Sequence, residues 1–187
     1  MKVRNHCNEL GFKSACFVKV QSDYYDLTLE ARMGLLSAPH VDCLCKSLIL
    51  ENTECTAGDC SDKYNSRFYC IIVQYIGKIN SNKIFKFVRS LAERTGAVAN
   101  KKDYHFKMAD SQEALRLTGF EHNAISPLGM ATGLMPIILA KNITEIRPDW
   151  FWLGGGQVDL KLGFKVSEFI ERLDPFIADI YKEDKEN

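Results

Sequence analysis

Apolar positions at helical spacing open the chain. Val3, Cys7 and Leu10 recur every three to four residues and stop near Gly11, which predicts a short first helix. Ala15 to Val20 reads as a strand. Asp26 stands where an N-cap would, ahead of Leu29, Met33 and Leu36 on one face, so a second helix is expected to about Leu36. The period then changes. Leu44 to Leu50 and Arg67 to Tyr75, rich in β-branched and aromatic residues, predict two strands, with polar Glu51 to Asn65 as an exposed loop between them. Ser81 is expected to cap the clearest helix of the chain, with Ile84, Phe85, Val88, Leu91 and Ala92 inward and Gly96 as its stop. Asp110 and Glu113 have the form of a capping box for a short helix ending at Gly119. A proline–glycine loop, Asn123 to Gly133, follows. Strands are then expected at Pro136 to Ala140, around Asp149 to Leu153, and from Gln157 to Leu162, the last two joined by a turn at Gly154-Gly155-Gly156. Ser167 is placed to cap a final helix, broken or kinked at Pro175.

Strands and helices mixed without strict alternation predict an α/β or α+β fold around a mixed sheet. A chain of 187 residues with no internal repeat and no linker is read as one domain, residues 1–187, with Lys182 to Asn187 as a fraying tail.

Composition narrows the function. Lysine plus arginine and aspartate plus glutamate number 24 each, so the net charge is zero. That excludes a uniformly basic nucleic-acid binder and an acidic disordered chain. The longest apolar runs, Phe68 to Val73 and Leu134 to Ala140, fall far short of the ~18–20 residues that span a bilayer. Met1 to Leu10 carries charge where a signal peptide needs an apolar stretch. A cytoplasmic protein with no membrane partner is the expectation. Seven cysteines, an odd number, are then reduced thiols. Cys43 with Cys45 and Cys55 with Cys60, near His40, suggest a zinc site at first sight. The single residue inside the first pair, within a strand, departs from the usual spacing, so separate thiols and no metal are expected.

The neutral total hides an uneven distribution. From Lys78 to Lys107 eight basic residues stand against Glu93 and Asp103, a local balance of +6, while Glu168 to Asn187 carries −4. The basic stretch, with Lys83, Lys86, Lys101 and Lys102, is either a track for a phosphate backbone or a solvated helix face.

Three segments could carry chemistry. On a strand, Leu44, Lys46, Leu48 and Leu50 share one face. Lys46 is then either an edge residue reaching water or an ammonium in a partly dry pocket, positioned to donate to a carbonyl or oxyanion. The loop Thr118 to Gly129, with two glycines, Asn123 and a Ser126-Pro127 turn, leaves backbone N–H groups able to cradle a carbonyl, hydroxyl or phosphate. Trp152 to Leu160 holds three glycines, a tight turn or a close approach. It is not the dinucleotide fingerprint, because a strand follows it. There is no phosphate-loop lysine motif and no G-x-S-x-G elbow. His105 and His122 lack metal-ligand spacing and read as surface or core histidines.

Leu44-Cys45-Lys46-Ser47-Leu48, then Thr118-Gly119-Phe120 to Ile125-Ser126-Pro127-Leu128-Gly129, then Trp152-Leu153-Gly154-Gly155-Gly156 to Asp159, in this order, resemble the YbaK/prolyl-tRNA-synthetase-associated editing domain family over about Phe17 to Leu173. The resemblance implies a compact domain around a mixed, barrel-like sheet with flanking helices. It implies hydrolysis, without metal or cofactor, of the ester joining a wrong amino acid to tRNA, typically alanine or cysteine on proline tRNA. Lys46 matches the family's strand lysine, and Asp159 its acidic residue after the glycine turn, which makes these two the catalytic candidates. Asn123 to Pro127 matches the family's G-x-x-x-P loop. The implied substrate-binding set is Gly119, Asn123, Ala124, Ile125, Ser126, Pro127, Gly154 and Gly155, with Lys83, Lys86, Lys101 and Lys102 guiding the tRNA acceptor end. Prolyl-tRNA synthetase, or a synthetase complex, is the implied protein partner.

Two departures stand out: Asn123 replaces the loop's first glycine, and the glycine segment is one residue short. Strand alternation from that segment puts Asp159 beside Gln157 and Lys161 on a polar face. An aminoacyl ester needs only positioned water and a stabilised oxyanion, work for loop N–H groups and Lys46. No residue stands out as general base. The alternatives are a non-catalytic tRNA- or synthetase-binding adaptor that keeps the fold, and a thiol-based metal or redox protein.

Overall fold

Two long strands, Cys45–Asn52 and Phe68–Gln74, pair antiparallel, with Cys45 opposite Gln74 and Glu51 opposite Phe68. Every residue of the second is buried, as a strand covered on both faces requires. The computed structural model describes residues 2–56, 58–96 and 100–182. In chain order its elements are α1 (Lys2–Glu9), β1 (Cys16–Lys19), α2 (Leu29–Leu35), β2 (Cys45–Asn52), β3 (Phe68–Gln74), α3 (Ser81–Glu93), β4 (Phe106–Met108), α4 (Ser111–Thr118), β5 (Ile137–Ala140), β6 (Phe151–Gln157), β7 (Leu160–Phe164), α5 (Val166–Leu173) and β8 (Phe176–Ala178). Short 3-10 turns include Tyr24–Asp26 and Lys101–Asp103.

This is a mixed α+β fold with two sheets among the described residues. One has the order β4-β2-β3-β5-β8, antiparallel at β4-β2-β3 and parallel at β3-β5-β8; the other is antiparallel β1-β7-β6. The sheets do not close into the barrel the resemblance implied. They meet at a single parallel bridge between Leu44, just before β2, and Trp152 on β6. On the far side of the smaller sheet Phe151, Phe164 and Phe169 stack at 4.9–5.4 Å between ring centroids.

Several expected caps sit one or two residues from the real ones. Thr28, not Asp26, caps α2, accepting from the Ala31 N–H, because Asp26 belongs to the preceding 3-10 turn. Asn80, not Ser81, caps α3. Asp110 caps α4, but Glu113 binds Arg116 instead of closing a capping box. The start of α5 is capped from outside: the Asp149 carboxylate accepts from both the N–H and the hydroxyl of Ser167. That helix ends before Pro175, and the chain continues as β8. β4 and β8 have three residues each, too short for a hydrophobic period to announce them. The Glu51 to Asn65 segment is less exposed than expected: Glu51 and Asn52 extend β2, and Cys55 and Cys60 are buried. Residues 183–187 of the expected frayed tail lie outside the described residues.

The largest correction concerns the glycines. Gly154, Gly155 and Gly156 do not turn the chain. They lie within β6, where the pairing with β7 slips between Gly154 and Gln157, and the reversal falls at Val158-Asp159. Lys161 consequently leaves the expected polar face and is 3% exposed.

Candidate active site

A cavity of ≈ 490 Å³ opens where the sheets meet. β2 supplies Lys46 and Leu48, β6 supplies Gly154, and Tyr25 and Tyr75 come from the 3-10 turn after β1 and the end of β3. The segment after α4 covers it with His122, Asn123 and Ile125.

That covering segment is anchored at many points. Gly119 ends α4 in the left-handed conformation, φ 72. The Thr118 hydroxyl donates to the Ala114 carbonyl and accepts from the Phe120 N–H, Ser126 Oγ accepts from the Leu128 N–H, and the Gly129 N–H donates to His6 Nδ1. Asn123 also takes a left-handed backbone, φ 66. Asparagine tolerates that region, so the turn forms here without a glycine. Gly156 N–H donates to the Ala124 carbonyl at 3.1 Å. A Cβ at Gly154 would lie 2.5 Å from the Ile125 carbonyl oxygen, so the glycine is where this segment presses on β6. The backbone N–H groups of Asn123 and Ile125 have no acceptor among the described residues.

Lys46, Tyr25 and Tyr75 line the cavity, and Lys161, Tyr24 and Arg32 pack against these tyrosines outside it. Lys46 Nζ sits 5.1 Å from the centre of the Tyr75 ring. The Tyr25 hydroxyl donates to the Asn123 carbonyl at 2.5 Å and accepts from Lys161 Nζ at 2.7 Å. Lys161 also donates to the Val158 carbonyl at 3.0 Å, with its ammonium 4.6 and 4.2 Å from the ring centres of Tyr24 and Tyr25. Arg32 faces the rings of Tyr24, Tyr25 and Tyr75 and donates to the Tyr25 carbonyl.

Burial, with Arg32 adding repulsion, lowers the Lys161 pKa to about 8. Burial raises the phenols of Tyr24, Tyr25 and Tyr75, so at neutral pH they are donors, not bases. Burial also pushes the Cys45 thiol, in the cavity wall, well above its usual range, which disfavours a thiolate nucleophile there.

Three solved structures resemble the chain along its length. One is a proposed trans-editing enzyme for prolyl-tRNA synthetase, with a TM-score of 0.72 at 17% identity, covering 97% of this chain and 96% of its own. Another, from computational grafting of epitopes onto scaffold proteins, gives 0.70 at 17% with the same coverage, and a hypothetical protein gives 0.70 at 16%, covering 97% and 100%. The chain shares their fold. No family model matches the sequence, and no curated protein matches it.

Within that shared fold the expected site residues separate into groups. Lys46, Asn123, Ile125 and Gly154 line the cavity. Ala124 and Ser126 are buried behind it, Gly119 ends α4, and Gly155 packs against Leu160. Pro127 lines a second cavity of ≈ 390 Å³. Asp159 does not line the first cavity; it sits in the β6–β7 turn, pairs with Lys19 at 3.3 Å, and accepts from the Val20 N–H through its carbonyl.

Lys83 is ion-paired with Asp179 at 2.8 Å, and Lys86 is exposed on the same helix. Lys101 and Lys102 are exposed on a 3-10 turn brought against α3 by Phe85 and Tyr104, ring centroids 5.7 Å apart. From that turn β4 runs to Met108 in the cavity wall. His40 lies beside Cys43 and pairs with Asp42, whereas Cys60 is buried in a separate apolar cluster with Ile49, Phe68 and Cys70. Among the described residues no helix is long and apolar enough to cross a membrane.

Sequence reasoning missed Tyr25, Tyr75, Arg32 and Lys161. Nothing in its own strand marks Lys161, because a lysine between Leu160 and Leu162 has the ordinary alternation of a strand with one wet face.

Proposed function

We propose that the protein is an aminoacyl-tRNA deacylase, hydrolysing the ester of a mischarged tRNA, with Ala- or Cys-charged proline tRNA as first candidates. The observation that carries this reading is the cavity that unites Lys46 with Asn123 and Ile125, residues whose backbone N–H groups have no acceptor among the described residues. The shared fold with a proposed trans-editing enzyme supports it.

In this reading the ester carbonyl enters between Lys46 and the covering segment. A water attacks it, and the oxygen that becomes negative receives the ammonium and the backbone donors, which are already fixed before reaction. No side chain is required as base: the substrate's own hydroxyl or thiol, or a water oriented by the backbone, relays the attacking water's proton to the ribose oxygen as the acyl C–O bond breaks. The products are the free amino acid and the tRNA with its terminal hydroxyl restored. Selection works by size and shape, because a cavity walled by Leu48, Ile125 and two tyrosines favours small residues. The exposed lysines of α3 and of the turn at Lys101–Asp103 guide the acceptor stem, with Asp179 competing for Lys83. Asp159 acts from the β6–β7 turn, through its pair with Lys19 and not through the reacting atoms.

The test is deacylation of Ala-, Cys-, Ser- and Pro-charged proline tRNA by the wild-type chain and by Lys46→Ala. Selective hydrolysis of one mischarged species, lost in the variant, is the expected result. Tight tRNA binding without hydrolysis of any ester would replace this reading with a non-catalytic adaptor.

A further inference from the structure

The chain from Lys161 to the cavity cover has a consequence of its own. A buried lysine must donate its hydrogen bonds within the protein, and Lys161 gives one to the Tyr25 hydroxyl and one to the Val158 carbonyl. The Tyr25 hydroxyl in turn donates to the Asn123 carbonyl, on the residue whose left-handed backbone turns the covering segment over the cavity. The same phenol faces Tyr75, and the Tyr75 ring carries Lys46. One ammonium therefore reaches both walls through a single hydroxyl.

We infer that Lys161 is a positioning residue for the cavity, acting through Tyr25 on the Asn123 carbonyl and so setting the Asn123 and Ile125 N–H groups; as a statement about catalysis this rests on the deacylase reading. The energetics explain why such a lysine would be kept at a cost. Replacing a buried cation with an apolar side chain of similar length is often neutral or stabilising. A lysine that served the fold alone would have no reason to stay here.

The experiment uses the full chain with Lys161→Met and Tyr25→Phe, reading kcat and KM, thermal stability, and hydrogen exchange at the Ala124 and Gly156 amides, whose bonds hold the covering segment. Methionine keeps the length of the stem and removes the charge and donors. For both variants the expected result is a kcat lower by about tenfold or more with KM changed by less than about threefold, since misplacement of reacting groups by about 1 Å costs up to about 100-fold. Exchange at Ala124 and Gly156 accelerates, while the melting temperature of Lys161→Met is not lowered. Wild-type activity with an unchanged kcat in Lys161→Met overturns the inference and leaves the deacylase reading standing. A wild-type chain that hydrolyses no ester defeats the deacylase reading, and exchange then decides the positioning: unchanged protection in Lys161→Met overturns it, and accelerated exchange sustains it as a device of whatever ligand the cavity holds.

Discussion

Two cavities of similar size, ≈ 490 and ≈ 390 Å³, flank the segment between α4 and β5, and they are built differently. The first takes its cation and phenols from strand positions or from side chains locked onto strands, Lys46 on β2, Tyr75 at the end of β3 and Tyr25 held by Lys161 of β7, and adds His122 and Asn123 from a covering segment anchored to β6. The second takes its polar groups from a helix and from loops, His6 on α1 and Ser61, Lys63 and Asp174 on connecting segments, against an apolar wall that includes Pro127, Leu134 and Leu173. Of its apolar side chains, Leu134 is 67% exposed. Volume alone does not distinguish them. Rigid attachment does: a donor must be held within a fraction of an ångström to help a transition state, and a ladder holds its side chains where a loop does not.

The sharpest way to break this contrast is at Lys46. Removing an oxyanion donor costs about 100-fold or more in rate. Lys46→Ala is expected to lose that much deacylation with its circular dichroism spectrum unchanged, and a loss below about tenfold would make the first cavity no more special than the second. Gly154→Ala comes next. The added methyl meets a backbone oxygen that no rotamer can move, so about 2 kcal/mol of stability in urea titration and much of the activity are expected to go together.

A pH series sharpens the role of the buried cation. The folded pKa of Lys161 lies near 8, below its ordinary 10.5, so between those values the unfolded chain binds more protons and this group's contribution to stability rises with pH. Below pH 8 it is protonated in both states and its penalty is full. The groups facing it are Arg32 and Asp159 by charge, with Tyr24, Tyr25, Tyr75 and Cys45 around it. The raised thiols and phenols contribute in the opposite sense above their ordinary values, so the quantity to read is a difference. The stability advantage of Lys161→Met over wild type is expected to be largest below pH 8 and to shrink toward pH 10. The smallest effect belongs to the second cavity: Leu134→Ser is expected to shift stability by less than about 0.5 kcal/mol and deacylation by less than twofold.

How much of this could be read from residues alone depends on how local the cause is. β2, β3 and α3 follow from runs of side chains that are neighbours in sequence, and Gly119 stops α4 where a helix-ending glycine should. The strand setting of Lys46 follows the same way. The glycines of β6 did not, because what they accommodate is a segment about thirty residues earlier: Ala124 and Ile125 over Gly154, and Phe120 over Gly156. Alternation likewise placed Lys161 on a polar face, since nothing in its own strand tells of the tyrosines that arrive from the turn at Tyr24–Asp26 to cover it. The parallel pairing of β5 with β8 is equally silent, with α5 and two other strands intervening.

The smaller sheet sets an order on how the molecule is made. Cys16 lies opposite Gly163, so the first strand has no partner until the distant segment around Gly163 has been synthesised. Tyr25 waits equally long for Lys161. The larger sheet can assemble its β2–β3 hairpin early, from residues close in sequence, while the cavity between the sheets acquires its second wall only once β6 and β7 have been made. A nascent chain thus carries Lys46 on a formed strand well before the site around it exists.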